Sequence, residues 1–139
     1  MPSTPPLILL ISQDVTLIYL IERYAERGGY AVHAEPMLPA LFAVRDLQPA
    51  TVLFTSIGSM EAAQAQMAEL VSWEIPLLVC SFVNDQARAR ELGADYCLLH
   101  PLAYDSFLAA LTITGAPAGT PDGRSSAASR ELNGPEEAV

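Results

Sequence analysis

No lysine occurs in this chain of 139 residues: all seven basic residues are arginines. Compositional bias accounts for that in so alanine-rich a sequence, and it leaves no ammonium side chain to neutralise an anion. Cysteine and histidine are nearly as scarce, with two of each. Cys80 and Cys97 sit inside the apolar runs "PLLVCSF" and "YCLLH"; buried, reduced thiols are expected there, not a disulfide or a metal pair. His33 and His100 fall in different segments, without the spacing of zinc ligands. Long hydrophobic runs are missing too. The longest aliphatic stretch, Leu7 to Ile11, is far short of the roughly 20 residues a membrane-spanning helix needs. The opening "MPSTPP" has no basic residue and no long apolar stretch behind it. No signal peptide and no membrane association are therefore expected, with cytoplasmic residence as the default. Seven basic against sixteen acidic residues give a net charge of −9, and residues 1–114 hold five and twelve of them. Such a surface repels a phosphate backbone, so nucleic acid is not expected as a partner.

What is present is a globular composition, 51% hydrophobic and 17% charged, of a length that suits one domain. After six residues of N-terminal extension, residues 7–114 are periodic and apolar. From Gly115 the sequence changes to "GAPAGTPDGRSSAASRELNGPEEAV". So few large apolar residues cannot offset the entropy of ordering, which predicts a disordered tail over 115–139. No internal repeat is visible.

Within residues 7–114, five strand candidates alternate with helical patterns. The strands are Leu7–Ile11, Tyr30–Ala34, Thr51–Thr55, Leu77–Cys80 and Tyr96–Leu99, three of them continuous apolar runs suited to burial on both faces. Asp14 is placed to cap a first helix with the stripe Leu17, Ile18, Ile21, Tyr24 and Ala25, which "GG" at 28–29 stops. A second helix spans Leu38–Leu47 and closes at Pro49. A third spans Gly58–Ser72 with Met60, Ala63, Met67, Leu70 and Val71 on a core-facing side. The fourth starts at Asn84 as N-cap and ends at Gly93, and a fifth runs from Ala103 to Ile113. Five βα units give an α/β fold with a parallel sheet covered on both faces. In such sheets the functional crevice lies past the carboxyl ends of the strands, which directs attention to Ser12, Gln13, Asp14, Thr55, Ser56, Ser81 and His100.

Residues 7 to about 113 resemble the receiver (CheY-like) domain of response regulators, the phosphoacceptor module of two-component signalling. The resemblance is carried by "SQDVTLIYLIERYAERGGY", "QPATVLF", "IPLLVCS" and "ELGADYCLLHP". It implies a flavodoxin-like (βα)5 three-layer sandwich with strand order 2-1-3-4-5. In that family two acidic residues after strand one hold Mg²⁺, an aspartate ending strand three accepts phosphate, a hydroxyl residue follows strand four, and Lys-Pro follows strand five. The matching positions here are Ser12 and Gln13, Thr55, Ser81, and His100 with Pro101. Only the hydroxyl and the proline remain.

Each replacement removes a piece of chemistry. Mg²⁺ wants octahedral oxygen ligands, usually including carboxylates, and Ser12, Gln13 and Thr55 offer neutral oxygens; Mg²⁺ binding is expected to be lost, and no cofactor is expected. Thr55 would need a general base to act as nucleophile, and His100 is mostly neutral near pH 7. Asp14 is read as a helix cap and not as a metal ligand. Thr55 and Ser56 are read as strand-end hydroxyls satisfied by backbone, not as kinase targets. The loop "TSIGSMEAA" lacks the family's Pro-Gly stretch, and Cys97 stands where members often carry a switch aromatic, Tyr96 facing the other side of its strand.

The expectation is thus a degenerate receiver: non-enzymatic, non-phosphorylatable, and acting by protein–protein contact in a two-component or phosphorelay-type system. A sensor kinase or another signalling protein is the implied partner, and the oligomeric state, homodimer included, stays open. The family's common docking surface corresponds to residues 84–113, with Arg88, Arg90, Glu91, Tyr96, Tyr104 and Asp105 as interaction candidates. The alternative is a small-molecule-binding domain using the strand-end crevice through Ser12, Gln13, Thr55 and Ser81. No Gly-rich phosphate loop, Walker sequence or Asp-x-His-x-x-Gly run accompanies it. An enzyme would need a pair such as Thr55 with His100, and no acid stands at a recognisable spacing to orient that histidine.

Overall fold

A computed structural model describes residues 4–114 of the chain. The first three residues and the tail from 115, with its expected disorder, lie outside the described residues. Five strands, β1 (Leu7–Ile11), β2 (Ala31–Glu35), β3 (Thr51–Phe54), β4 (Leu77–Ser81) and β5 (Tyr96–Leu99), form one sheet in the order β2-β1-β3-β4-β5. Every pairing is parallel. The 2-1-3-4-5 order of the expected fold is therefore present. β3 and β4 are buried along their whole length, as the apolar runs Val52–Phe54 and Leu77–Cys80 require, with Thr51 and Ser81 buried at their ends, while the edge strand β2 is half-exposed throughout. Pro6 belongs with the sheet, because its carbonyl accepts the Ala31 N–H at 2.9 Å.

Six helices cover the sheet: α1 (Val15–Gly28), α2 (Leu41–Leu47), α3 (Ile57–Ala62), α4 (Gln64–Ser72), α5 (Gln86–Glu91) and α6 (Tyr104–Ile113). Alternating side chains of the strands divide the core in two. Ile8, Leu10, Leu53 and Leu98 pack with Ile21, Ala25 and Phe107 of α1 and α6. Leu9, Ile11, Phe54 and Val79 pack with Val44, Met60, Leu70 and Ala89 on the opposite face. Each fully buried Val, Leu, Ile, Met or Phe among them stabilises the fold by about 1.5–3 kcal/mol.

Asp14 caps α1 as its sequence position predicts: Oδ1 accepts from the Thr16 and Leu17 N–H groups at 3.0 and 3.2 Å. Gly29 ends that helix in the left-handed region with φ 88°. Elsewhere the boundaries move for identifiable reasons. Leu38 is buried in the loop before α2, which begins at Leu41, because Pro39 disfavours helical backbone at the residue before it. The third expected helix is broken at Ala63 (φ −97°, ψ 6°) into α3 and α4. Gln64 Nε2 donates to the Met60 carbonyl at 3.2 Å and to that of Leu92 at 3.1 Å, so the break is tied to the end of α5. Met60, Ala63, Met67 and Leu70 are buried as expected, but Val71 is exposed; it lies about 100° round the helix from Leu70. Asn84 does not cap the fourth helix. It sits inside a 3₁₀ turn over Val83–Asp85, and α5 follows without a side-chain cap, since an N-cap needs an extended backbone that a turn denies.

Candidate functional site

The parallel ladders run one residue beyond the strands. Ser12 N–H donates to the Glu35 carbonyl, Thr55 N–H to that of Ile11, and His100 N–H to that of Ser81. Ser12, Thr55, Ser81 and His100 thereby come to the carboxyl edge of the sheet on fixed backbone. Ser12, Thr55 and Ser81 are all buried there. The Thr55 hydroxyl donates to Ser12 Oγ at 2.7 Å, and the Asp14 N–H donates to the same oxygen at 3.1 Å. Two neutral hydroxyls are thus paired to each other at the carboxyl ends of β1 and β3. Ser81 Oγ is buried with no hydrogen-bond partner among the described residues.

Gln13 and Thr55 open onto a cleft of about 940 Å³ enclosed by the β1–α1, β2–α2 and β3–α3 connections, whose walls include Val15, Met37, Ser59 and Gln66. Gln13 is exposed, and its Nε2 donates to the Pro36 carbonyl at 3.4 Å. Asp14, the one carboxylate lining the cleft among the described residues, is turned to the α1 N-terminus as a cap. Among the described residues no group of three or more His, Cys, Asp or Glu is placed to hold a metal ion. Ser56 Oγ accepts from the Ser59 N–H at 3.1 Å and donates to Ser59 Oγ at 3.0 Å, which makes it the cap of α3.

The structure does not gather all the sequence-predicted positions. His100 and Pro101, joined by a cis peptide bond, line a separate depression with Gln86, Arg90, Tyr96 and Cys97. The His100 ring lies against Phe82 with centroids 4.7 Å apart. Thr55 follows β3 and His100 follows β5, with β4 between them. Two inter-strand spacings amount to roughly 10 Å, and the Thr55 hydroxyl is directed to Ser12, so no nucleophile–base pair forms between them. The cleft residues Met37, Ser59 and Gln66 were missing from the sequence reading. Met37 was accessible to the same strand-end rule, applied after β2; Ser59 and Gln66 depend on where α3 breaks.

The interaction candidates also separate. Arg88 is held by Glu61 at 2.9 Å and by Glu91 at 3.4 Å; hydrogen bonding to these carboxylates, Glu61 foremost, pushes its guanidinium further above its usual range. Tyr104 packs edge-on to Tyr24 at 5.5 Å and carries the Arg27 guanidinium over its ring at 4.1 Å. Tyr96 is half-buried against the α1/α6 core layer, on the opposite face from Cys97. It shares in that packing and also lines the depression beside His100. Arg90 and Asp105 are exposed. Phe82 and Val83, 62% and 67% exposed, add an apolar element to this side that the sequence reading did not include. Burial pushes the Cys80 thiol up to about 12, and burial with a smaller contribution from Tyr104 does the same for Tyr30.

No protein-family profile matches the sequence, and no curated protein does. Solved structures do. The N-terminal receiver domain of Klebsiella pneumoniae RstA is 19% identical, with a TM-score of 0.65 over 78% of this chain and 97% of that one. The chemotaxis response regulator CheY4 of Vibrio cholerae is 15% identical, TM-score 0.65, over 80% and 99%. The CheY-like protein TadZ of Pseudomonas aeruginosa is 13% identical, TM-score 0.66, over 79% and 99%. In the order, direction and covering of its strands, this chain has the flavodoxin-like fold of response-regulator receiver domains.

Proposed function

We propose that this chain is a receiver-type signalling module without phosphoryl-transfer chemistry, acting through contact with another protein. The observation that carries this is the Thr55–Ser12 hydroxyl pair at 2.7 Å, at the positions that resemble the family's phosphoacceptor and metal ligand. A phosphoryl group in transfer needs a metal or cationic clamp. Ser12, Gln13 and Thr55 supply uncharged oxygens, the Asp14 carboxylate is engaged as the cap of α1, the chain contains no lysine, and His100 lies beyond β4. The protein partner would be a sensor kinase or another signalling protein. Its docking side would be α5, β5 and α6, where Arg90 and Asp105 are exposed, with Phe82 and Val83 exposed at the 3₁₀ turn that leads into α5. Cytoplasmic residence fits such a module; among the described residues no helix is long and apolar enough to cross a membrane. Incubation with acetyl phosphate and Mg²⁺, followed by intact-mass analysis, tests the proposal. An unmodified mass is expected, and a stable addition of one phosphoryl group on the folded chain contradicts it.

The cleft itself favours a second reading. An opening of about 940 Å³ falls within the size range of small-molecule sites, roughly 300–1,000 Å³. A module of this kind would sense a ligand in place of a phosphoryl group.

A further inference from the structure

The cleft lies past the carboxyl ends of β1 and β3, with β2 on the far side of β1, so it stands where the strand order reverses. In open α/β sheets this is the position that takes ligands. Its chemistry discriminates between classes of them. A helix N-terminus facing such a crevice normally attracts phosphate through unpaired N–H groups and the helix dipole. Here Asp14 accepts from two N–H groups of α1 and Ser56 accepts from one of α3. Asp14 also puts a negative charge where an anion would otherwise sit, and among the described residues it is the only formally charged one lining the cleft. Polar and apolar groups share the walls about equally, and the apolar ones stand at the rim. Val15 on one side and Met37 on the other are 79% and 64% exposed, with Leu17 and Leu38 behind them. Gln13 and Gln66 add side-chain amides, which donate and accept hydrogen bonds without charge.

We infer that this cleft binds a small molecule with an apolar ring and an uncharged or singly cationic polar group, and that it disfavours carboxylates and phosphate esters. The inference rests on the ligand-binding reading and gives it a chemical class. Charge complementarity selects the occupant: a lone carboxylate, apolar lips and no basic residue.

Three probes sharing one ring separate the terms: indole, tryptamine and indole-3-acetate, carrying charges of 0, +1 and −1. The full ¹⁵N-labelled chain is titrated with each at low ionic strength. Indole and tryptamine are expected to give saturable shifts at the amides of Gln13, Val15, Met37 and Ser59. Tryptamine should bind on the order of tenfold more tightly than indole-3-acetate, the gap narrowing as salt rises. Asp14→Ser keeps a good N-cap residue and removes the charge, so it should bring the two affinities together. Tight binding of indole-3-acetate to the unaltered chain, or a preference that survives Asp14→Ser, overturns the inference while leaving a ligand site in place. Absence of saturable shifts at the cleft with all three probes overturns both the inference and the ligand-binding reading.

Discussion

At the scale of single residues, the carboxyl edge of the sheet shows why position and chemistry must be judged separately. Ser12, Thr55 and Ser81 occupy the ends of β1, β3 and β4, yet each is buried and uncharged. The Thr55 hydroxyl is bonded to Ser12, and Ser81 has no bond of its own among the described residues. A buried hydrogen bond contributes about 0.5–1.5 kcal/mol net, and an orphaned partner raises the cost of losing it. Thr55→Val, nearly isosteric, should therefore destabilise the chain by about 1–2 kcal/mol in urea denaturation. Ser81→Ala removes a hydroxyl that gains nothing from burial, so it should be neutral or stabilising by up to about 1 kcal/mol. A loss larger than that would mean the Ser81 hydroxyl has a partner in solution. The sequence made these residues legible as strand-end positions, because apolar runs of fixed length place them there. That Thr55 would bond Ser12 was not legible, since it depends on the lateral register of β1 and β3. The role of Asp14 was legible, because an N-cap is a local matter. Asp14→Ala should cost about 1 kcal/mol, seen as a lower urea midpoint with an unchanged slope.

At the scale of elements, the strands were legible to within a residue and the short helices were not. The central strands β1, β3 and β4 are built on apolar runs bounded by polar or turn residues, and burial on both faces leaves little freedom in where they start. Helices of six or seven residues, such as α2, α3 and α5, are marginal on local propensity and are placed by tertiary contacts. The break at Ala63 is an instance: it rests on Gln64 reaching the Leu92 carbonyl, 28 residues away. Asn84 misled for the opposite reason, being a good cap residue taken up inside a 3₁₀ turn. The end of α5 was better marked. Gly93 adopts φ 108°, and a Cβ there would meet Met67 Cε at an ordinary 3.6 Å. The obstacle to a side chain is thus the backbone conformation and not a clash. Gly93→Ala should cost on the order of 1–3 kcal/mol, measured by thermal or urea unfolding. A smaller cost would mean that the loop relaxes to another conformation.

At the scale of the whole molecule, the fold has two apolar layers closed on a parallel sheet, and a surface dominated by acidic charge. Two buried acids couple that core to alkaline pH. Cys80 rises from 9.0 and Tyr30 from 10.0, both to about 12. Below about pH 8 both groups are protonated whether the chain is folded or not, so they add no pH dependence there. Between about pH 8 and 12 the unfolded chain releases protons that the folded chain retains, Cys80 first, and stability must fall over that interval. The urea midpoint should be level from pH 6 to about 8 and decline above it, with Cys80→Ala removing part of the slope. The same burial makes Cys80 slow toward thiol reagents at pH 8, leaving the half-buried Cys97 as the faster of the two.

We propose that the receiver fold is kept here without phosphoryl-transfer chemistry. The most direct measurement is a ¹⁵N NMR titration of the full chain with Mg²⁺ alone and then with Mg²⁺ and beryllofluoride, an analogue of a bound phosphoryl group. The account predicts no saturable shifts at Ser12, Gln13, Thr55 or Ser81 at millimolar Mg²⁺, and no further change on adding beryllofluoride. Saturable Mg²⁺-dependent shifts at those amides, extended by beryllofluoride toward α5 and β5, would contradict it.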